Sequence, residues 1–283
     1  MFSPCRPASA ASSLPIRALI RLAVVTLALA LGACATTPRE APPGQFVERS
    51  VVVGGTAHRY QVFVPARAAG GKHPATVLFL HGSGERGTDN QRQVNVGLGP
   101  FVRAHAATFP AIVVFPQSPE GTSWVGTQAR VALAALDASL DEFDGDEDRI
   151  VLTGMSRGGY GVFELAILEP RRFAALVPVC GGITQPPGLK EHLQVESVAL
   201  APDPFLAAAQ KLQKLPVWAF HGGKDDVVTP DQSRHMVEAL RGVGGNVRYT
   251  EFADLGHNAW DAAYATPELW SWAFAQQRKG GLF

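Results

Sequence analysis

A chain of 283 residues that is 46% hydrophobic and 18% charged has globular composition, which excludes a disordered, collagen-like or coiled-coil protein. The 25 Lys and Arg balance 25 Asp and Glu, so the basic footprint of a nucleic-acid-binding chain is absent. Its 29 Gly and 21 Pro follow no period and point to many turns.

Residues 1–33 hold Arg6, Arg17 and Arg21 and no acid. The uncharged run from Leu22 to Leu31 is too short for a membrane span, which takes about 20 apolar residues as a helix. A basic stretch, a short apolar core and then small residues read as a secretory signal. The core closes on Leu31-Gly32-Ala33-Cys34, which resembles the lipobox of bacterial lipoproteins. That resemblance implies removal of residues 1–33, lipidation of Cys34 and a membrane anchor made of several acyl chains, each buried CH₂ contributing about 0.8 kcal/mol. Ala35 stands where Asp retains enterobacterial lipoproteins at the inner membrane, so the expected location is the outer membrane, facing the periplasm or the surface. The remaining chain carries 22 basic residues against 25 acidic ones, and no nucleic-acid partner is expected. Of three cysteines, only Cys180 lies beyond Cys34 in the folded part. An intrachain disulfide there is excluded, and Cys180 reads as a small buried hydrophobe.

Residues 34–45 are a Pro-rich tether, and residues 46–283 read as one domain. Val51–Val53 and Tyr60–Val64 flank Gly54-Gly55 and predict a hairpin. The apolar runs Thr76–Leu80 and Ala111–Phe115 predict strands buried on both faces. From Thr127 to Phe143, apolar residues at helical spacing predict an amphipathic helix. Arg149–Thr153 is the next strand, followed by Gly154 and a helix to Leu168 that stops before Pro170. Strands are expected at Phe173–Val179, Leu215–Phe220 and Val247–Phe252, and helices at Asp231–Arg241 and Pro267–Gln277. Alternating strands and helices imply an α/β fold with a mostly parallel sheet covered on both faces. Residues 183–214 show no strand pattern and read as an excursion over one edge of the sheet that helps shape a binding site.

Gly154-Met155-Ser156-Arg157-Gly158 sits between a strand and a helix. This is the context in which Gly-x-Ser-x-Gly forms a nucleophile elbow, with Ser156 exposed above the sheet and a helix N-terminus beneath a developing oxyanion. A Ser hydroxyl needs a base, and the base needs an orienting acid. On an elbow of this kind they follow in the order Ser, acid, His. His257 fits the base; His235 falls on a predicted helix. Asp225 is the first choice for the acid, with Asp226 and Asp254 as competitors. Two backbone donors are expected at the oxyanion, the N–H of Arg157 and that of Ser83, with Gly82 as the alternative to Ser83. Trp124 and Gln117, after a central strand, are placed on the rim as substrate-binding residues; for Trp124 plain packing competes with stacking on a sugar or aromatic group. Glu85 and Arg86 are expected to pair and brace the oxyanion loop, and Trp260, Trp270 and Trp272 to pack the last helix. Metal and dinucleotide motifs do not occur in the sequence, so no metal or organic cofactor is implied.

These residues resemble the α/β-hydrolase superfamily and, within it, a bacterial carboxylesterase and phospholipase-like group that includes predicted peptidases and dienelactone-hydrolase relatives. The matching segments are His81-Gly-Ser-Gly-Glu-Arg-Gly87, Phe115-Pro-Gln117, Gly154–Gly159, His221-Gly-Gly-Lys-Asp225 and Gly256-His-Asn-Ala-Trp260. The His-Gly-x-x-Asp segment places the acid on Asp225. The resemblance implies ester hydrolysis through an acyl-enzyme, on a short-chain or carbohydrate-linked (acetyl or feruloyl) ester. Competing readings are a serine peptidase, a polyester depolymerase, and an inactive surface lipoprotein that binds glycans or protein partners.

Overall fold

A computed structural model describes residues 44–66 and 73–278. The expected signal, Cys34 and most of the tether lie outside the described residues; Gln45, at the tether's end, already opens the first strand. Among the described residues, no helix is long and apolar enough to cross a membrane.

Eight strands form one sheet: β1 (Gln45–Val53), β2 (Thr56–Val64), β3 (Thr76–Leu80), β4 (Ile112–Pro116), β5 (Ile150–Met155), β6 (Ala175–Val179), β7 (Val217–Gly222) and β8 (Val247–Phe252). Their order across the sheet is β1-β2-β4-β3-β5-β6-β7-β8. The β1–β2 and β2–β4 pairs are antiparallel and every other pair is parallel. The hairpin joining β1 to β2 turns on Gly54 and Gly55 at φ 59° and 79°, the paired left-handed conformation of a two-residue turn whose twist suits the strands.

Among the described residues the α-helices are α1 (Leu98–Ala104), α2 (Gly126–Phe143), α3 (Arg157–Leu168), α4 (Pro204–Leu212), α5 (Asp231–Gly242), α6 (Trp260–Tyr264) and α7 (Leu269–Ala275). Alternate residues of each buried strand feed two cores. Leu78, Leu80, Leu152 and Leu176 meet α2, α3, α4 and α5 on one face. Val77, Phe79, Val151 and Val177 meet α1, α6 and α7 on the other. Burial on both faces is why β3 through β7 read as unbroken apolar runs.

Two expectations differ from the structure. The last helix, expected at Pro267–Gln277, is confined to Leu269–Ala275 (α7), and a short helix that the pattern does not announce, α6, precedes it, with Pro267 in the turn between them. The excursion does not lie over a sheet edge; the edges are β1 and β8. Instead Ile183, Leu193, Val195 and Val198 join the core that contains α3 and α5. The Gln232 side chain of α5 accepts the N–H groups of Ile183 and Thr184 at 3.0 and 3.1 Å, pinning the start of the segment. The segment also contains α4, whose first turn is capped by Asp203 accepting the Leu206 N–H at 3.0 Å, with Pro204 at the first helical position.

Candidate active site

Ser156 follows β5 and caps α3 at φ 54°, ψ −121°, a left-handed strain that costs on the order of 1–3 kcal/mol and persists only where the surroundings enforce it. They do so through close backbone approach. A Cβ on Gly154 would stand 2.5 Å from the Gly158 carbonyl oxygen, and one on Gly158 would stand 1.8 Å from the Leu80 oxygen. The two glycines therefore let α3 start against β3 and leave the Ser156 side chain above the sheet.

The loop after β7 that carries Asp225 and the loop after β8 that carries His257 also meet backbone to backbone. A Cβ on Gly222 would lie 2.1 Å from the Gly256 oxygen. The Lys224 N–H donates to the Leu255 carbonyl and the Gly223 N–H to that of Phe252, each at 2.9 Å. This docking brings three side chains into line. The Ser156 hydroxyl is 2.8 Å from His257 Nε2, and His257 Nδ1 is 2.7 Å from Asp225 Oδ2. With Nδ1–H donating to the carboxylate, Nε2 is free to accept the Ser156 proton.

Asp225 is buried, whereas its competitors Asp226 and Asp254 are exposed and Asp254 pairs with Lys224. Burial alone would raise the Asp225 carboxyl. Hydrogen bonds from His221 and His257, with the charge of His257 and the Val228 N–H, outweigh that and hold it well below the usual carboxylate range. Its Oδ1 accepts the N–H groups of Val227 and Val228 at 3.0 and 2.9 Å. His221, wholly buried, adds a contact to Oδ2 at 3.2 Å.

Ser83 and Gly82 line the same cavity as Ser156 and His257. Arg157 is the first residue of α3, so its N–H has no intrahelical acceptor. The loop carrying Ser83 is pinned by His81, whose Nδ1–H donates to the Gly82 carbonyl at 2.7 Å and whose Nε2 accepts the Ser118 N–H at 3.0 Å. Burial pushes His81 down to about 4, so the ring stays neutral near pH 7.

Trp124 and Gln117, expected on the rim, do not line the cavity above Ser156. Trp124 is 1% exposed and donates its indole N–H to the His81 carbonyl at 3.0 Å. Its Cβ stands where a Cβ on Gly161 would come within 2.6 Å, so the ring packs under the oxyanion loop. Gln117 accepts the Asn90 N–H at 2.6 Å and donates to the Glu85 carbonyl and to Asp89, each at 3.0 Å. It braces residues 85–90. Nor does Arg86 pair with Glu85. Arg86 donates Nε–H to the Ser83 carbonyl at 3.0 Å and reaches Glu191 of the excursion. Glu85 is half-buried in the cavity wall, where burial raises its carboxyl.

The cavity above Ser156 measures about 510 Å³. Its apolar wall comes from Leu189 and Leu193 of the excursion, Val227 of the loop after β7 and Trp260. The Trp260 ring meets His257 edge-on at 5.6 Å between centroids; packing alone had been expected of it. Cys180 is free and buried, and burial pushes its thiol up to about 12, as suits an inert side chain.

The sequence profile of the dienelactone hydrolase family matches residues 122–265. An acyl-protein thioesterase 1 from Neurospora crassa is 24% identical over 229 residues, covering 72% of this chain and 86% of that protein. The crystal structure of a thermostable esterase aligns with a TM-score of 0.66 and 31% identity over 82% of this chain, and this chain spans 63% of that esterase. A ferulic acid esterase shares the fold at a TM-score of 0.62 and 16% identity, over 82% of this chain and 98% of that one.

Proposed function

Because this chain belongs to the dienelactone hydrolase family of the α/β-hydrolase superfamily and is a serine hydrolase acting on esters, we propose that Ser156 is its nucleophile, His257 its general base and Asp225 the acid that orients and stabilises the imidazole. The observation carrying this reading is the unbroken hydrogen-bond chain from Ser156 through His257 to Asp225, at 2.8 and 2.7 Å. Ser156 Oγ attacks the ester carbonyl while His257 Nε2 takes its proton. The N–H groups of Ser83 and Arg157 receive the oxyanion. His257 protonates the departing alcohol, and water, deprotonated by the same ring, then releases the acyl group from Ser156.

The substrate we propose is a short-chain or carbohydrate-linked ester. A cavity of about 510 Å³ walled by Leu189, Leu193 and Val227 suits a small acyl group, and the Trp260 ring at its side offers a flat apolar face. Ser156→Ala is expected to lower kcat on p-nitrophenyl acetate by at least about 10³-fold and to abolish labelling by a fluorophosphonate. A variant that keeps near-native turnover removes this assignment. Rates on acetyl, feruloyl and long-chain esters side by side test the substrate class; fastest turnover on long-chain esters would exclude it.

We further propose that the enzyme is a lipoprotein anchored in the outer membrane through Cys34, on the strength of the lipobox Leu31–Cys34. Cys34→Ala is expected to move the activity from the membrane fraction to the soluble one. An unchanged distribution rules the anchor out.

A further inference from the structure

Ser83 is gripped from two sides by guanidinium groups that no step above employs. Arg86 Nε–H donates to its carbonyl at 3.0 Å, and Arg157 Nε–H donates to its hydroxyl at 2.9 Å. Both arginines are almost wholly buried, at 8% and 3% exposure. Two like charges this close to one residue repel each other and are poorly solvated, so the arrangement holds only with a shared counter-charge.

Glu191, from the excursion, supplies it. Its Oε2 lies 3.1 Å from Arg86 Nη1 and 2.7 Å from Arg157 Nη2, and its Oε1 accepts from Arg86 Nη2 at 3.2 Å. The neighbouring His192 carbonyl accepts from Arg157 Nη1 at 3.1 Å, so the segment is tied at two successive residues. Glu120 approaches Arg86 only at 4.0 Å. The excursion thus lines the cavity and, through the two arginines, fastens the loop that carries Ser83.

We propose that Glu191 is a positioning residue for the oxyanion hole: through Arg86 and Arg157, which hold the Ser83 carbonyl and hydroxyl, it fixes Ser83 so that its N–H points at the oxyanion that forms on Ser156. The inference rests on the reading of the Ser83 N–H as an oxyanion donor. A hydrogen bond that must meet a developing charge loses much of its worth with a displacement of about 1 Å.

The test uses the full chain and a small ester. Glu191→Gln keeps the shape and removes the charge. Its kcat on p-nitrophenyl acetate is expected to fall about tenfold or more, with KM within about twofold, because the lost interaction belongs to the transition state. Affinity for a phenylboronic acid, whose tetrahedral adduct places an oxygen anion in the same hole, should fall by a similar factor. Glu191→Asp, which restores the charge on a shorter arm, should recover part of both losses. Arg86→Gln, a second variant that leaves the Arg157–Glu191 pair intact, should lower kcat in the same way.

A native kcat in Glu191→Gln overturns the inference. So does a raised KM with unchanged kcat, which would make the excursion a substrate wall only. If Ser156→Ala is inactive while Glu191→Gln turns over normally, this inference alone falls. If Ser156→Ala keeps native turnover, the mechanism beneath it falls as well.

Discussion

Asp225 and Asp226 are chemically identical neighbours, and their surroundings separate them. Asp225 turns inward to two histidines and two backbone N–H groups, while Asp226 faces water. The sequence motif favoured the first, but only burial and partners distinguish the two physically. His81 carries a second argument at this scale. Its neutral form is built into the fold, donating at Nδ1 and accepting at Nε2, with a folded value of about 4 against 6.5 in the open chain. Between those values the unfolded chain binds the extra proton, so stability falls as pH drops from about 6.5 to about 4, by on the order of 3 kcal/mol. Asp225, held below its ordinary range, adds its own loss only below about pH 4. The urea midpoint should therefore drop from pH 7 to pH 4.5 in the native chain and drop less in His81→Gln. Equal slopes in the two proteins would show that His81 is not responsible.

Among the elements, the β5–Ser156–α3 unit is dictated by close approach. Gly158→Ala pushes a methyl into the Leu80 carbonyl of β3, where backbone cannot yield cheaply, so a loss of about 3 kcal/mol or more is expected. The variant should also lose turnover, since Leu80 leads directly into the oxyanion loop. Gly242→Ala, at the end of α5 with nothing within 4 Å of the added carbon, serves as the control and should be neutral or slightly stabilising. Equal melting temperatures for the two variants would contradict the steric account. The elements that pattern reading did not find are short. α1 spans seven residues with Pro100 inside it and is held by Leu98 and Val102 against the sheet, a contact no local rule announces. α4 could have been found, because Asp203-Pro204 is a capping residue followed by proline at the first helical position.

Across the whole molecule, loops that are distant in sequence meet at the carboxyl ends of the parallel strands: Ser156 after β5, Asp225 after β7, His257 after β8 and Ser83 after β3. The excursion between β6 and β7 closes the remaining side through Leu189, Glu191 and Leu193. The alternation of strands and helices, the turn around Ser156 and the loops that carry Asp225 and His257 were legible along the chain. Each is set by local sterics or by a pattern of burial that repeats within one element. Trp124 was not legible in that way: its position after a central strand fits the rim and the core equally, and only the space beside Gly161 and the free carbonyl of His81 draw it inside. Nothing near Glu191 in the sequence marks it as the counter-charge of two arginines 105 and 34 positions away. Local backbone geometry is written in short segments, so the sequence determined the strained turn at Ser156 and its setting between strand and helix. Packing and charge compensation depend on which distant surfaces meet, so the tertiary structure alone decided which polar and aromatic side chains face the cavity and which hold its walls.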